Sequence, residues 1–218
     1  MKKIGVIFDM DGVLVDSTKS IWASFNKLLE PHGIHFTNEE ITREYLGLSL
    51  RDQMRLWKEK YGIELEVEKF SKEAGNMEIK MMANKQVNLD LLCLLKELKA
   101  NKFPMGVGTS SLRWRAEEII RLLRIKGYFS VIVSAEDVVH HKPNPDLFLK
   151  VAEELKVPPG NCVVIEDASS GIEAAKRGGM KAIGYLTDYN NPEELKKADL
   201  IISSFKELDS EKIKILFE

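Results

Sequence analysis

The feature that most constrains the fold is a repeated alternation between short apolar runs and stretches with helical periodicity. Six runs rich in β-branched residues are separated by segments such as RAEEIIRLLR, whose apolar residues recur at helical spacing. The runs are KIGVIF (3–8), FPMGVGT (103–109), FSVIVSA (129–135), CVVIED (162–167), KAIGYL (181–186) and LIISS (200–204). Strands that alternate with helices build a mostly parallel sheet covered on both faces. We therefore expect an α/β, doubly wound core of Rossmann-like type that binds its ligand at the carboxyl ends of the strands.

Residues 17–83 break this alternation, because they contain helical patterns and no convincing strand. TNEE (37–40) is typical of a helix start with a capping box, and SLRD (49–52) is an aspartate variant of that motif. Gly33 and Gly62 are typical of helix ends. The segment is therefore predicted to be an all-helical domain inserted into the core.

The insertion divides the predicted core into residues 1–16 and 84–218. Within the core, residues 89–101 are expected to form a helix. The polar segments at the two joins, near 15–17 and 84–88, are predicted hinges.

The charge balance gives no sign of a polyanionic partner. The chain has 32 Lys and Arg against 34 Asp and Glu, a net charge of −2, so neither nucleic acid nor a membrane is expected as a partner. Cys93 and Cys162 are far apart, and no CxxC pair or Cys/His cluster suggests a disulfide scaffold or a zinc site. The N-terminal apolar run reaches Asp9 too soon for a signal peptide or a membrane span. We expect a cytoplasmic protein, by default a monomer, with a dimer as the alternative.

The first predicted strand ends in DMDG, which places two carboxylates two residues apart. Asp9 and Asp11 lie on one side of an extended chain, and Gly12 allows a tight turn after them. One interpretation is an acidic turn. The other is a catalytic pair, in which one carboxylate attacks phosphorus and the second, held protonated, assists the leaving oxygen and later accepts a proton from water.

Two further strand ends carry polar residues that suit a phosphate group. Thr109 and Ser110 precede a predicted helix, where hydroxyls and free N–H groups can bind phosphate; ordinary helix capping by Ser110 or Ser111 is the alternative. Lys142, in HHKPNPD, is either a fixed positive charge for a phosphoryl group or a solvated loop lysine. The residues alone leave both alternatives open.

A fourth strand end, VVIEDASSG, is acidic again. Glu166 and Asp167 offer the hard oxygen ligands that Mg²⁺ prefers. A cation is needed there because a phosphate dianion and Asp9 repel each other. Capping of the next helix by Asp167 is the alternative, but it does not explain why acids recur at two strand ends.

DMDGVLVD, GTSS, KPNPD and EDASSG, in this order, resemble the motifs of the haloacid dehalogenase-like hydrolase superfamily. The resemblance extends over essentially the whole chain. It is to the branch with a helical cap after the first strand, which includes β-phosphoglucomutases and phosphoglycolate phosphatases. In that family the cap closes over the site and excludes water, which agrees with the two predicted hinges.

The resemblance implies a role for each of the motif residues. Asp9 is similar to the family nucleophile, Asp11 to its general acid–base, and Asp167 to its Mg²⁺ ligand. It implies catalytic roles for Asp9, Asp11, Thr109 and Lys142; phosphate contacts from Asp9, Gly12, Thr109, Ser110 and Lys142; and Mg²⁺ ligands from Asp9, Asp11 (through its main-chain carbonyl), Glu166 and Asp167. The implied cofactor is Mg²⁺, and the implied partner is a small-molecule phosphate ester.

Two positions depart from the mutase pattern. Ile21 stands where β-phosphoglucomutases have a histidine, and Leu50 where they have an arginine. Arg51, one place later, is either a substrate contact from the cap or a solvated side chain. The prediction is a Mg²⁺-dependent phosphatase for a small phosphomonoester of the sugar phosphate or phosphoglycolate type, acting through an aspartyl-phosphate. A phosphomutase of the β-phosphoglucomutase type and a non-enzymatic binding or regulatory domain are the alternatives.

Overall fold

The computed structural model describes residues 3–45 and 50–218. Ser49 of the predicted SLRD helix start lies outside the described residues. The chain separates into two compact units, Met1–Asp16 with Lys85–Glu218, and Ser17–Asn84. These bounds fall next to those expected for the core and the inserted domain. In the described part of the chain, no helix is both long and apolar enough to cross a bilayer.

The first unit contains a six-stranded parallel sheet, which confirms the predicted fold class. Its strands are β1 (Gly5–Phe8), β2 (Met105–Gly108), β3 (Val131–Val133), β4 (Cys162–Glu166), β5 (Lys181–Tyr185) and β6 (Leu200–Ile202). The strand order is β3-β2-β1-β4-β5-β6. Each strand lies inside one of the six apolar runs and is shorter than the run. β1 lies between β2 and β4, where the winding of the sheet reverses, and such reversal points form ligand crevices.

Helices lie between the strands in the order that the periodicity predicted, except between β5 and β6, where the described residues form turns and no helix. In the first unit they are α5 (Leu89–Ala100), α6 (Arg113–Leu122), α7 (Asp146–Leu155), α8 (Ser169–Arg177) and α9 (Ser210–Ile215); in the second unit they are α1 (Thr18–Leu29), α2 (Asn38–Glu40), α3 (Leu50–Tyr61) and α4 (Val67–Met81). The predicted core helix at 89–101 is thus confirmed as α5. Helix α8 ends at Gly178, and Gly179 follows at φ +73°.

The core of the sheet is continuous because β1, β2 and β4 are buried along their whole length. Helix α7 packs closely on β2 because β2 contains two glycines, Gly106 and Gly108. A Cβ on Gly106 would lie 2.6 Å from the Val151 side chain, and one on Gly108 would lie 3.0 Å from Phe148. The absence of side chains on these residues therefore brings the start of α7, and the loop before it, close to the centre of the sheet.

The second unit is helical around an aromatic core. Trp57 is fully buried and lies 6.0 Å from Phe25 and 5.6 Å from Phe36, measured between ring centroids. The predicted capping box is present, since the Thr37 hydroxyl accepts from the Glu40 amide and the Glu40 carboxylate accepts from Thr37. Between β1 and β2, the described residues contain helices and no strand.

Candidate active site

The candidate active site begins with a buried carboxylate at the carboxyl end of β1. Asp9 is 5% exposed, and its amide donates to the Ile165 carbonyl of the neighbouring β4 at 2.9 Å. Its Oδ1 lies 2.5 Å from the ammonium of Lys142. The chain therefore places the two residues that the first and third motifs predicted in direct contact.

Lys142 serves two carboxylates at once. Its Nζ lies 2.6 Å from Glu166 Oε1 and 4.8 Å from the centroid of the Phe148 ring, and only 8% of its side chain is exposed. Burial lowers the pKa of Lys142, but the charges of Asp9 and Glu166 outweigh this effect and raise it above its ordinary value. Lys142 is thus a fixed cation, and the solvated-lysine alternative is wrong.

The negative charge of the acids at the site exceeds the single positive charge of Lys142. The pKa of Asp9 is raised to about 7, mainly by burial and also by the charge of Glu166, although Lys142 acts to lower it. Burial and the charges of Glu166 and Asp9 also raise the pKa of Asp167 well above its ordinary value. The ionised form of these carboxyl groups is stabilised when a further cation approaches.

Asp167 lies directly against the turn that follows Asp9. Gly12 has φ +85°, and a Cβ built on it would overlap the Asp167 carboxylate, so that only glycine fits both the turn and its neighbour. Asn190 holds the main chain of Asp167 from the other side. Its amide nitrogen donates to the carbonyls of Asp167 and Tyr185 at 2.7 and 3.0 Å, and its Oδ1 accepts from the Thr187 amide.

Glu166 is held at the end of β4 with both carboxylate oxygens engaged. Oε1 accepts from Lys142, and Oε2 accepts from the Ala168 amide at 2.6 Å. The room for this carboxylate comes from Gly171 of α8, where a Cβ would overlap it. In this arrangement Glu166 orients Lys142, and its predicted role as a Mg²⁺ ligand stays a prediction.

The end of β2 brings hydroxyl groups to the same edge of the sheet. Thr109 is 1% exposed, and its Oγ1 accepts from the Ser111 amide at 3.0 Å. Ser110 is exposed. Helix α6 begins after Leu112 with no side-chain cap, so the capping role considered for Ser110 or Ser111 is wrong.

Asp11 points to a different partner from that of Asp9. Its two oxygens accept from Nη1 and Nη2 of Arg115, each at 2.8 Å, and Oδ2 also accepts from the Ser111 hydroxyl at 2.8 Å. Arg115 lies in the first turn of α6 and is 9% exposed. Arg115, the hydroxyl role of Ser111 and the Asn190 clamp were all missed from the sequence. Arg115 and Asn190 lie outside the four motifs, and Ser111, although part of GTSS, was considered only as a helix cap. The contacts of Arg115 and Ser111 with Asp11, and of Asn190 with Asp167, join segments that are distant along the chain, so no local pattern predicts them.

One predicted residue belongs to the other unit. Arg51 is an exposed residue of α3. The residues that the sheet gathers at its carboxyl edge are therefore Asp9, Asp11, Gly12, Thr109, Ser110, Lys142, Glu166 and Asp167.

The donor chemistry of this edge fits Mg²⁺. Among the described residues, no three His, Cys, Asp or Glu side chains are already gathered as a metal-binding group. Mg²⁺ is commonly bound by one or two carboxylates, waters and substrate phosphate, without a complete protein cage. Asp9 and Asp167 supply such carboxylates beside a main-chain turn whose glycine leaves the Asp167 oxygens close to the backbone.

Known proteins match the chain in sequence. The model of haloacid dehalogenase-like hydrolases matches residues 6–185. The chain is 31% identical over 198 residues to a phosphorylated carbohydrates phosphatase of Thermotoga maritima, covering 90% of this chain and 91% of the relative. It is 31% identical over 182 residues to the fructose-1-phosphate phosphatase YqaB of Escherichia coli, covering 82% and 94%.

A solved structure agrees with the sequence matches. The β-phosphoglucomutase of Clostridium difficile matches with a TM-score of 0.82 at 29% identity, over 99% of this chain and 97% of that one. The family model covers most of the chain, and the two sequence relatives cover it in similar proportion. The resemblance inferred from the four motifs is thereby confirmed, and the chain belongs to the haloacid dehalogenase-like hydrolases.

Proposed function

We propose that this hydrolase is a Mg²⁺-dependent phosphatase that cleaves a small phosphomonoester through an aspartyl-phosphate. The observation that carries the proposal is the buried Asp9, held by the Lys142 ammonium at 2.5 Å at the central strand end of the sheet. A carboxylate that is buried, oriented and next to a fixed cation is suited to attack an electrophile that brings its own negative charge.

In the proposed reaction an Asp9 oxygen attacks phosphorus and the bond from phosphorus to the ester oxygen breaks. Asp11 donates a proton to that leaving oxygen, which departs as an alcohol. Water then attacks the phosphorus of the aspartyl-phosphate while Asp11 accepts its proton, and the cycle ends with phosphate and free Asp9. Such acid–base assistance is typically worth about 10²–10⁴-fold in rate.

The other residues bind and neutralise the phosphoryl group. Lys142 is a positive charge beside the attacking oxygen, and Thr109 and Ser110 supply hydroxyl and amide donors from the end of β2. When bound, Mg²⁺ would offset the negative charge shared by the phosphoryl group and Asp9. The proposed ligands are the carboxylates of Asp9 and Asp167, the main-chain carbonyl of Asp11, and Glu166.

The proposed substrate is a sugar phosphate or a similarly small phosphate ester. The two relatives with 31% identity are named as phosphatases of phosphorylated carbohydrates and of fructose 1-phosphate. We propose that the unit Ser17–Asn84 is the cap that selects the substrate, with Arg51 as one contact. We also propose that the protein is cytoplasmic and monomeric.

A phosphomutase is the second candidate, because the chain resembles a β-phosphoglucomutase in structure. Two residues of the second unit argue against it. Ile21 and Leu50 are partly buried against the aromatic core of that unit, where mutases would have polar groups. Incubation with β-glucose 1-phosphate and a bisphosphate primer separates the two: isomerisation without phosphate release would establish the mutase.

The test of the proposed function is a phosphate-release screen over phosphosugars, phosphoglycolate, glycerol phosphate and nucleotides. The wild-type protein is expected to turn over at least one ester with Mg²⁺, to lose activity with EDTA and to regain it when Mg²⁺ is added back. Asp9→Asn should abolish release without loss of folding. Full activity of Asp9→Asn would contradict the mechanism, and a lack of turnover on every ester would favour a binding domain.

A further inference from the structure

We propose that Arg115 is a positioning residue for Asp11: its guanidinium, together with the Ser111 hydroxyl, sets the direction of the Asp11 carboxylate. The inference rests on the proposed function, because it concerns the acid–base role given there to Asp11. Arg115 acts through Asp11 and is assigned no contact with the substrate.

The contact between Arg115 and Asp11 is bidentate, and we refer to this pair as the fork. Arg115 Nη1 and Nη2 each lie 2.8 Å from one oxygen of Asp11, and the Ser111 hydroxyl lies 2.8 Å from Oδ2. Arg115 Nη1 also donates to the Ser111 hydroxyl. A planar guanidinium that binds both carboxylate oxygens fixes the plane of the carboxylate as well as its position, which a single contact or a lysine could not do.

Stabilisation of helix α6 does not explain an arginine at this place. Arg115 lies in the first turn of α6, where the helix dipole disfavours a positive charge. Arg115 is only 9% exposed, and an arginine is seldom buried unless it has a partner. An arginine at position 115 therefore destabilises the start of α6, and the contact with Asp11 offsets this cost.

Because of the fork, the two carboxylates of the DMDG motif have different binding partners. Asp9 is bound by Lys142, which precedes α7, whereas Asp11 is bound by residues that follow β2. About a third of the Asp11 side chain is still exposed, as a group that must exchange protons with substrate and water requires. A catalytic carboxylate has to be held within about 0.5 Å of its productive position. An aspartate whose side-chain torsions are free to rotate is not held that closely.

The experiment is a double-mutant cycle on kcat with a phosphate ester that the wild-type protein turns over. Arg115→Gln is expected to lower kcat by about 10–100-fold, the usual effect of a lost orienting contact, with KM changed less than about twofold. In an Asp11→Asn background the same substitution should change kcat by less than about twofold, because Arg115 acts only through the carboxylate. Arg115→Lys should give an intermediate kcat.

Arg121→Gln is the matched control. Arg121 lies on the same helix and pairs with Glu118 at the surface, so this variant should keep the wild-type kcat. If neither Arg115 variant folds, Ser111→Ala provides the cycle, with an expected kcat loss of about threefold or more that disappears in the Asp11→Asn background.

Three results would overturn the inference. An equal kcat loss in both backgrounds would show a general structural role. A raised KM with unchanged kcat would make Arg115 a substrate contact, and an unchanged or raised kcat would show that the fork is not needed. The wild type and Asp9→Asn are assayed alongside: absence of turnover by the wild type would overturn the proposed function and this inference together, whereas Asp9-dependent turnover with an additive cycle would overturn this inference alone.

Discussion

Lys142 lies between two buried carboxylates, with its Nζ 2.5 Å from Asp9 and 2.6 Å from Glu166. The lysine is 133 residues away from Asp9 along the chain, and the exposed fraction of each of the three side chains is 8% or less. Because a buried charge is costly without a partner, the three side chains depend on one another for stability as well as for chemistry.

Lys142→Met should weaken both stability and catalysis, since it leaves two buried carboxylates without their shared cation. We expect the free energy of unfolding in urea to fall by about 3–5 kcal/mol. The value of kcat should fall by about 10²-fold or more. Lys150→Met, at a partly exposed position of α7, should change the unfolding free energy by less than about 0.5 kcal/mol. Equal stability of the two variants would contradict the buried triad.

Asn190→Ala should weaken Mg²⁺ binding at the proposed site, because the Asn190 side chain holds the main chain of Asp167. The Mg²⁺ concentration for half-maximal activity should rise by about 10-fold, and the Mg²⁺-induced increase in melting temperature should shift to the same higher concentrations. Asn191→Ala removes a neighbouring amide that pairs with exposed Glu194, and it should leave both curves unchanged. Unaltered curves for Asn190→Ala would show that the clamp does not support the metal site.

Gly171→Ala should destabilise the protein, because the added methyl group would occupy the space of the Glu166 carboxylate. Displacement of a packed side chain typically costs about 1–3 kcal/mol, and a lower kcat should accompany it because Glu166 orients Lys142. Gly160→Ala is the control, since a Cβ at Gly160 meets no atom within 4 Å. Chemical denaturation of both variants, with kcat measured on each, checks this prediction; a stable, fully active Gly171→Ala would refute it.

Asp137 should make stability depend on acid pH. Burial raises the pKa of Asp137, but hydrogen bonds from Arg113 and Ser134 outweigh it and hold the pKa at about 2. Since the folded pKa is below the ordinary value near 3.8, the contribution is fully present above about pH 4 and is lost as pH falls towards 2.

Asp137→Asn tests this contribution. After solvent screening is considered, it should lower the unfolding free energy at pH 7 by about 1 kcal/mol, and the difference from the wild type should shrink as the pH falls from 4 to 2. Urea denaturation over this pH range measures it. A difference that does not vary with pH would exclude the carboxylate as its source.

The strands and motif residues were readable from the sequence for a physical reason. Strands in the middle of a parallel sheet are buried on both faces and are therefore largely apolar, so an apolar run marks a strand, and polar residues at or just after the end of a run mark the strand end. The Thr37 capping box and the glycines that end α8 were equally local, because they depend on residues a few positions apart. The Ser110 or Ser111 helix cap was wrong because Ser111 is drawn into a contact with Asp11, which no local rule contains.

The sequence by itself determined which residues end the strands, and therefore which carboxylates, hydroxyls and lysine could meet at one edge of a sheet. Only the tertiary structure decided how they pair: Asp9 with Lys142, Asp11 with Arg115, and Asp167 against Gly12. The reason is that strand order and the packing of α6, α7 and α8 bring together groups up to 133 residues apart, and contact at that separation depends on the assembled sheet rather than on any local pattern.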